Sequence, residues 1–464
     1  MIDHHVFHSS VLREYDIRGI VGETLHAADA LAIGRGFATA VAEAGGRTVC
    51  VGFDGRLSSP ALEAAVVEGL TAAGIDAVRI GRGPTPMLYF ATKVLEADGG
   101  VMITGSHNPP DHNGFKMLLK NRPFFGPDIR RLGEVAAGGG FVAGEGRATT
   151  RAVLDEYVAR LLQDYDGGRP LSVVWDSGNG AAGEVLTALT ARLPGTHILL
   201  NATIDGTFPN HHPDPTEPRN MEQLQSAVLA AKADLGIAFD GDADRIGVVD
   251  DRGRLLWGDQ ILVILAEDLL KTHPGATIIA DVKASQMLFD EVERMGGRPL
   301  MWRTGHSLIK SKMAEVGAPL AGEMSGHIFY GDRYYGFDDA LYAAVRLLGI
   351  VSRGTGSLAD RRDRMPTLVN TPELRFPCDE ERKFAVIDEV KERLRPEVAA
   401  GRASVVDIDG VRVRTRDGWW LLRASNTQAV LVARAEAATE AGLVVLKAAV
   451  AAQLRASGLD LPEE

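Results

Sequence analysis

Three stretches of this chain pass through the same succession of residue types. RTVCVGFDGRLSSPALEAAVVEGLTAAG (47–74), LSVVWDSGNGAAGEVLTALTARL (171–193) and ATIIADVKASQMLFDEVERMGG (276–297) each run from an apolar, β-branched segment into an aspartate and then into an amphipathic helix pattern. The aspartates are Asp54, Asp176 and Asp281. An apolar run without polar alternation describes a strand covered on both faces, as in a mostly parallel sheet flanked by helices. Strands alternating with helices of this length imply βαβ units. The repeat therefore predicts an α/β chain built from three related domains with mixed, mostly parallel sheets.

The end of the chain breaks this pattern. ASVVDIDGVRVRTRDGWWLLRASNTQAVLVARAEA (403–437) offers four short strands, with Asp-Gly pairs at 409–410 and 417–418 marking tight turns, and an alanine-rich helix follows. This predicts a smaller C-terminal α+β domain with an antiparallel sheet. RMPTLVNTPELRFP, with Pro366, Pro372 and Pro377, reads as the linker into it. The expected domains are 1–150, 151–254, 255–367 and 368–464.

Composition narrows the class of function. The net charge of −12 argues against nucleic acid, whose binders present basic faces. No apolar run approaches the roughly 18 residues of a membrane span. MIDHHVFHSS lacks the character of a signal peptide, and the two cysteines, Cys50 and Cys378, form neither a disulfide framework nor a zinc cluster. A cytoplasmic protein with no membrane or nucleic-acid partner is expected.

Several segments could carry chemistry. GNGAAG (178–183) fits a dinucleotide fingerprint, with Asp205 downstream, but the sibling repeats carry FDGRLS and ADVKAS in the same turn. A tight strand-to-helix turn explains the glycines more simply. FDGDADRIG (239–247) alternates Asp240, Asp242 and Asp244, so an extended segment would send all three carboxylates to one side. Hard oxygen ligands without cysteine or histidine suit magnesium, and crowded like charges require a cation. The EF-hand pattern is excluded by Arg245 and Asp251 at its sixth and twelfth positions.

In ITGSHNPPDHNGFK (103–116), Ser106 is flanked by glycine and histidine and followed by a Pro/Asn/Gly turn. A hydrolase would need a base at Ser106, yet His107 adjoins it in sequence and neighbouring side chains diverge; the segment also fails the G-x-S-x-G elbow. A glycine-flanked serine beside a magnesium site suits phosphoryl transfer, with Lys116 supplying positive charge to the moving group. RASNTQ (423–428) assembles Arg423, Ser425, Asn426 and Thr427 into an anion cradle. GEMSGH (322–327) puts Glu323 and Ser325 where they could bond a polyol, and His306 and His327 could bind phosphate or move protons.

Taken in order, YDIRG (15–19), TGSHNPPDHNGFK (104–116), DGDADR (240–245), GEMSGH (322–327) and RASNT (423–427) resemble the α-D-phosphohexomutases, within them the bacterial phosphomannomutase/phosphoglucomutase branch. The resemblance covers essentially the whole chain. It implies four domains around a central active-site cleft and a phosphoserine at Ser106. It implies magnesium on Asp240, Asp242, Asp244 and one oxygen of that phosphoserine. Arg423, Ser425, Asn426 and Thr427 would hold the phosphate not being transferred, and Glu323 and Ser325 the sugar hydroxyls. Tyr15, Arg18, Lys116, Arg245, Lys283, His306 and His327 would line the cleft.

The implied reaction moves a phosphoryl group reversibly between C1 and C6 of glucose or mannose phosphates. Glucose 1,6-bisphosphate, or its mannose counterpart, would be intermediate and activator. The acid and base stay open among Lys116, His306 and His327, because Arg245 would remain protonated. The partners are small hexose phosphates, and the chain is expected as a monomer, with a homodimer as the alternative. Phosphoglucosamine mutase is the alternative within the class, and an NAD-dependent dehydrogenase using GNGAAG the alternative outside it.

Overall fold

The computed structural model describes residues 3–426 and 428–459. The first sheet runs in the order Ile17–Ile20, His112–Leu119, Gly99–Ile103, Thr48–Phe53, Asp76–Arg82, Ala148–Thr150. The four strands from Gly99–Ile103 outward pair in parallel, and the other two join antiparallel. Thr48–Phe53 sits inside the sheet, which is why its run TVCVGF has no polar face. Helices Ala27–Glu43 and Ser59–Ala72 cover one side and pack backbone to backbone. A Cβ on Gly34 would lie 2.4 Å from the Val66 carbonyl, and one on Gly69 the same distance from that of Leu31.

The second sheet is ordered Leu255–Leu256, Ile246–Asp250, Leu235–Phe239, Leu171–Asp176, Gly195–Leu200, and the third Arg298–Trp302, Thr277–Asp281, Leu320–Gly322, Ile328–Tyr330. Both mix parallel and antiparallel pairs. Leu255–Leu256 pairs within the second sheet, so that sheet reaches two residues past the seam expected at 254. One continuous apolar core runs through all three units, from Cys50 through Trp175 to Tyr342.

The fourth sheet is wholly antiparallel and has its own core around Val386, Trp420, Leu431 and Leu446. The Pro-rich approach is not a free linker. Val369–Asn370 and Leu374–Pro377 both pair with Val430–Ala437, so it supplies edge strands. Proline is compatible with an edge, where no partner strand needs its missing N–H.

The three repeated aspartates share one task. Each lies buried at the carboxyl end of its strand, Asp54 one residue beyond it, and ties it to the loop after a neighbouring strand. Asp54 accepts from the Gly105 amide at 3.0 Å, Asp176 from Asn201 Nδ2 at 2.9 Å, and Asp281 from Thr304 Oγ1 at 3.0 Å and the Met324 amide at 3.1 Å. The repeat thus builds, three times, a ledge of anchored loops at the carboxyl ends of strands, where open α/β sheets place their sites.

Candidate active site

Ser106 stands on the first ledge, just beyond Gly99–Ile103. It is 2% exposed and holds φ +50, a left-handed conformation that a residue with a Cβ adopts only when its surroundings impose it. Its Oγ donates to Asp240 Oδ2 at 3.0 Å. His107 does not diverge as expected: the left-handed Ser106 brings His107 Nδ1 within 3.2 Å of Oγ. Burial first, and then the charge of Arg245, push the His107 imidazole well below its usual range. Among the described residues no carboxylate hydrogen-bonds the far side of His107, so the orienting member of a hydrolase triad is missing.

Asp240, Asp242 and Asp244 are all fully buried, and their ligand atoms lie within 4.8 Å of one another. They converge by a turn and not by strand alternation, which corrects the expected geometry. Ala243 takes φ +57, its amide donates to the Asp240 carbonyl at 3.1 Å, and the amides of Asp244 and Arg245 both donate to Asp240 Oδ1 at 3.1 Å. A side chain on Gly241 would meet the Ser106 carbonyl at 2.3 Å, so the two loops touch through backbone.

Two like charges about 4 Å apart repel by about 4 kcal/mol at an effective dielectric of 20, so three need neutralising. Lys116, on His112–Leu119, donates to Asp242 Oδ2 at 2.7 Å and to Asp244 Oδ2. Burial alone would lower the Lys116 pKa, but those two carboxylates hold it well above the ordinary range, so the metal-free site keeps it as a cation. Burial and the neighbouring Asp244 and Asp242 charges push Asp240 well above the carboxylate range. Asp242 Oδ1 and Asp244 Oδ1 are buried without a hydrogen-bond partner among the described residues. Three carboxylates with two orphaned oxygens form a donor set that fits a hard divalent cation.

His327 and His306 stack beside this cluster with ring centroids 5.6 Å apart. Arg245 Nε donates to His327 Nε2 at 3.2 Å, which leaves the proton of a neutral His327 on Nδ1. That atom lies 3.3 Å from Asp338 Oδ2 and 3.5 Å from Asp244 Oδ1. Burial and the Lys310 charge push the His306 imidazole well below its usual range, so it stands neutral beside the cluster. Asp338 and Lys310, paired at 2.8 Å behind the histidines, were not found from the sequence; a buried FDD run was their one signal.

Glu323 and the half-buried Ser325 occupy the turn after Leu320–Gly322. Glu323 Oε1 accepts from the Gly305 amide at 2.6 Å, and burial raises its pKa. Lys283 Nζ lies 3.1 Å from Glu373. Arg18 donates to Asn108 Oδ1 at 2.6 Å and pairs with Asp16 at 2.5 Å.

Arg423, Ser425 and Asn426 sit where Gly418–Ala424 turns toward Val430–Ala437; Thr427 lies outside the described residues. Arg423 pairs with Asp409 at 3.1 Å, and Lys383, fully buried behind the loop, donates to the Ser425 carbonyl at 2.6 Å and that of Gln428 at 3.1 Å. Tyr15 joins three units: it donates to the Thr304 carbonyl at 3.0 Å and accepts from Asn426 Nδ2 at 2.5 Å, and burial pushes its pKa up to about 12.

GNGAAG is a turn filled by the protein itself. A Cβ on Gly180 would meet the Gly241 carbonyl at 2.8 Å and one on Gly183 that of Ala202 at 1.9 Å, while the Ala181 amide already donates to the Gly241 carbonyl at 2.9 Å. A pyrophosphate has no place at this helix start. Asp205 caps its own turn through Thr207 at 2.7 Å, so it is not poised for a ribose.

Known proteins agree with this architecture along the full chain. Models of the phosphoglucomutase/phosphomannomutase α/β/α domains I, II and III match residues 9–134, 155–253 and 257–368, and the C-terminal domain model matches 373–453. The phosphomannomutase/phosphoglucomutase of Pseudomonas aeruginosa is 44% identical over 98% of this chain and 97% of its own. The phosphoglucomutase of Neisseria meningitidis serogroup A is 43% identical over 93% of this chain and 94% of its own. A crystal structure of a phosphoglucomutase/phosphomannomutase family protein from Burkholderia thailandensis, 43% identical, covers 99% of this chain and 100% of that one with a TM-score of 0.92. No helix among the described residues is long and apolar enough to cross a membrane. With every domain matched in order and relatives this similar end to end, the chain belongs to the phosphoglucomutase/phosphomannomutase family of enzymes.

Proposed function

We propose that this enzyme interconverts the 1- and 6-phosphates of glucose and mannose through a phosphate carried on Ser106. The observation that carries the reading is the placement of the Ser106 hydroxyl 3.0 Å from Asp240 inside a buried triad of aspartates. Asp240, Asp242 and Asp244 would hold magnesium, whose charge would offset that of the transferring phosphoryl group. Lys116 and Arg245 add fixed positive charge beside it.

In the first half-reaction the P–Oγ bond of phosphoserine breaks as a P–O bond forms to the free 6-hydroxyl of hexose 1-phosphate. The hydroxyl proton passes to a general base of the cleft, for which Lys116, His306 and His327 are the candidates. The resulting 1,6-bisphosphate turns end over end, and its other phosphate returns to Ser106 Oγ. Arg423, Ser425 and Asn426, with Thr427, would hold whichever phosphate is idle. A grip by Glu323 and Ser325 on O3 and O4 works in both orientations and ignores C2, where glucose and mannose differ. Both cysteines are buried free thiols, which accords with a cytoplasmic enzyme.

A mutase assay run in parallel on glucose, mannose and glucosamine 1-phosphates tests the reading, with phosphopeptide mass spectrometry at Ser106. Turnover of the first two with phosphate on Ser106 is expected. Absence of phosphate there after incubation with glucose 1,6-bisphosphate overturns the carrier role, and preference for the glucosamine substrate overturns the assignment of sugar.

A further inference from the structure

Arg56 lies in the turn FDGR after Thr48–Phe53 and is 1% exposed. Its guanidinium is spent on backbone. Nη1 donates to the carbonyls of Pro109 at 2.5 Å and His112 at 3.0 Å; Nη2 donates to those of Ser106 at 2.8 Å and Asn108 at 2.6 Å. Nε faces Asp54 at 3.2 Å. Three of the four acceptors belong to the loop that carries Ser106 and the fourth, His112, opens the strand that follows it; a planar fork of fixed donors can gather them as no flexible amine could.

The fit leaves no slack. A Cβ on Gly105 would lie 2.3 Å from Arg56 Nε, and one on Gly206, from the second unit, 2.6 Å from Arg56 Cα. The ring of Phe208 covers the guanidinium at 5.1 Å. The Ser106 carbonyl is held on one side by Arg56 and on the other by the close approach of Gly241, beside the aspartates. This clamp accounts for the left-handed Ser106, which its own side chain does not favour.

We infer that Arg56 is a positioning residue for phosphoryl transfer, fixing the Ser106 loop so that Oγ stays aimed at Asp240 in both halves of the reaction. The inference rests on the reading of Ser106 as phosphate carrier. A loaded Ser106 places further negative charge against three carboxylates, and an unclamped loop would relieve that repulsion by swinging away. Phosphoryl transfer depends on position, and a displacement of about 1 Å costs about 100-fold in rate. Arg56 donates to none of the groups assigned to the sugar or the idle phosphate, so its loss should appear in kcat and not in KM.

The test uses full-length, magnesium-loaded Arg56→Ala and Arg56→Lys. Steady-state kinetics on glucose 1-phosphate, thermal unfolding, and the rate at which glucose 1,6-bisphosphate phosphorylates Ser106 are measured for each. Expected is a fall in kcat of about 100-fold for Arg56→Ala, a smaller fall for Arg56→Lys, unchanged KM, and slowed Ser106 phosphorylation in the folded protein. If Arg56→Ala does not fold, Arg56→Lys, which keeps the charge and loses the fork, carries the test alone. A folded variant with wild-type kcat, or one whose loss lies in KM, overturns the inference. Wild-type protein that never gains phosphate on Ser106 overturns the carrier reading and this inference with it. Wild-type phosphorylation beside an unimpaired variant overturns the inference alone.

Discussion

Lys116 Nζ lies 2.7 Å from Asp242 Oδ2 and also donates to Asp244, so one ammonium is wedged between two of the three buried aspartates. The site therefore carries an internal counterion. Replacing Lys116 with methionine should destabilise the metal-free protein by about 3–5 kcal/mol, since it strands buried carboxylates. Magnesium should recover more of that loss in the variant than it adds to the wild type. Urea unfolding with EDTA and with magnesium checks this; an equal loss under both conditions would show that lysine and metal do not share the carboxylates.

Asp242 has one oxygen engaged by Lys116 and Thr85 and the other buried without a hydrogen-bond partner among the described residues. Asp242→Asn should weaken magnesium binding at least about tenfold, some 1.4 kcal/mol. Calorimetric titration decides it, and unchanged affinity removes Asp242 from the ligand set.

Tyr15 bridges Thr304 and Asn426 across three units. Tyr15→Phe deletes both bonds and should raise KM for hexose phosphate about fivefold, from roughly 1 kcal/mol for a hydrogen bond, with kcat less affected. Wild-type KM in the variant would mean that the bridge does not shape the closed cleft.

Asp339 is buried, accepting from Tyr157 at 2.8 Å, Tyr334 at 2.7 Å and the Tyr342 amide at 2.8 Å, yet desolvation lifts its pKa to about 6. A carboxyl with a raised folded pKa contributes stability that is complete below its unfolded value of 3.8 and is lost as pH rises through 6. Between about pH 4 and pH 6 the wild type should thus lose about 3 kcal/mol relative to Asp339→Asn. Parallel denaturation curves of the two proteins across that range would contradict this.

Much of the fold could be read along the chain because its causes are local. Apolar runs, repeated aspartates and following helix faces announce βαβ units through burial periodicities that span a few residues. The Pro-rich approach misled for the same reason: proline describes what its own backbone cannot do, and not that Val430–Ala437 offers an edge to pair with. The strand-like alternation of Asp240, Asp242 and Asp244 named the right residues through the wrong geometry, since Ala243 turns left-handed to bring them together.

What the sequence determined by itself was therefore the set of units and the chemistry available in each: serine on one loop, aspartates on the next, a polyol grip and an anion cradle beyond. Tertiary structure alone decided their mutual engagement. Lys116 reaches Asp242 across 126 positions, Arg56 gathers a loop that begins 50 positions away at Ser106, and Asp338 braces two histidines that gave no sign of it. Such contacts arise from how strands, loops and whole units pack in space, within one sheet for Arg56 and between units for Lys116, and electrostatic neutralisation depends on distance in space, which spacing along the chain does not encode.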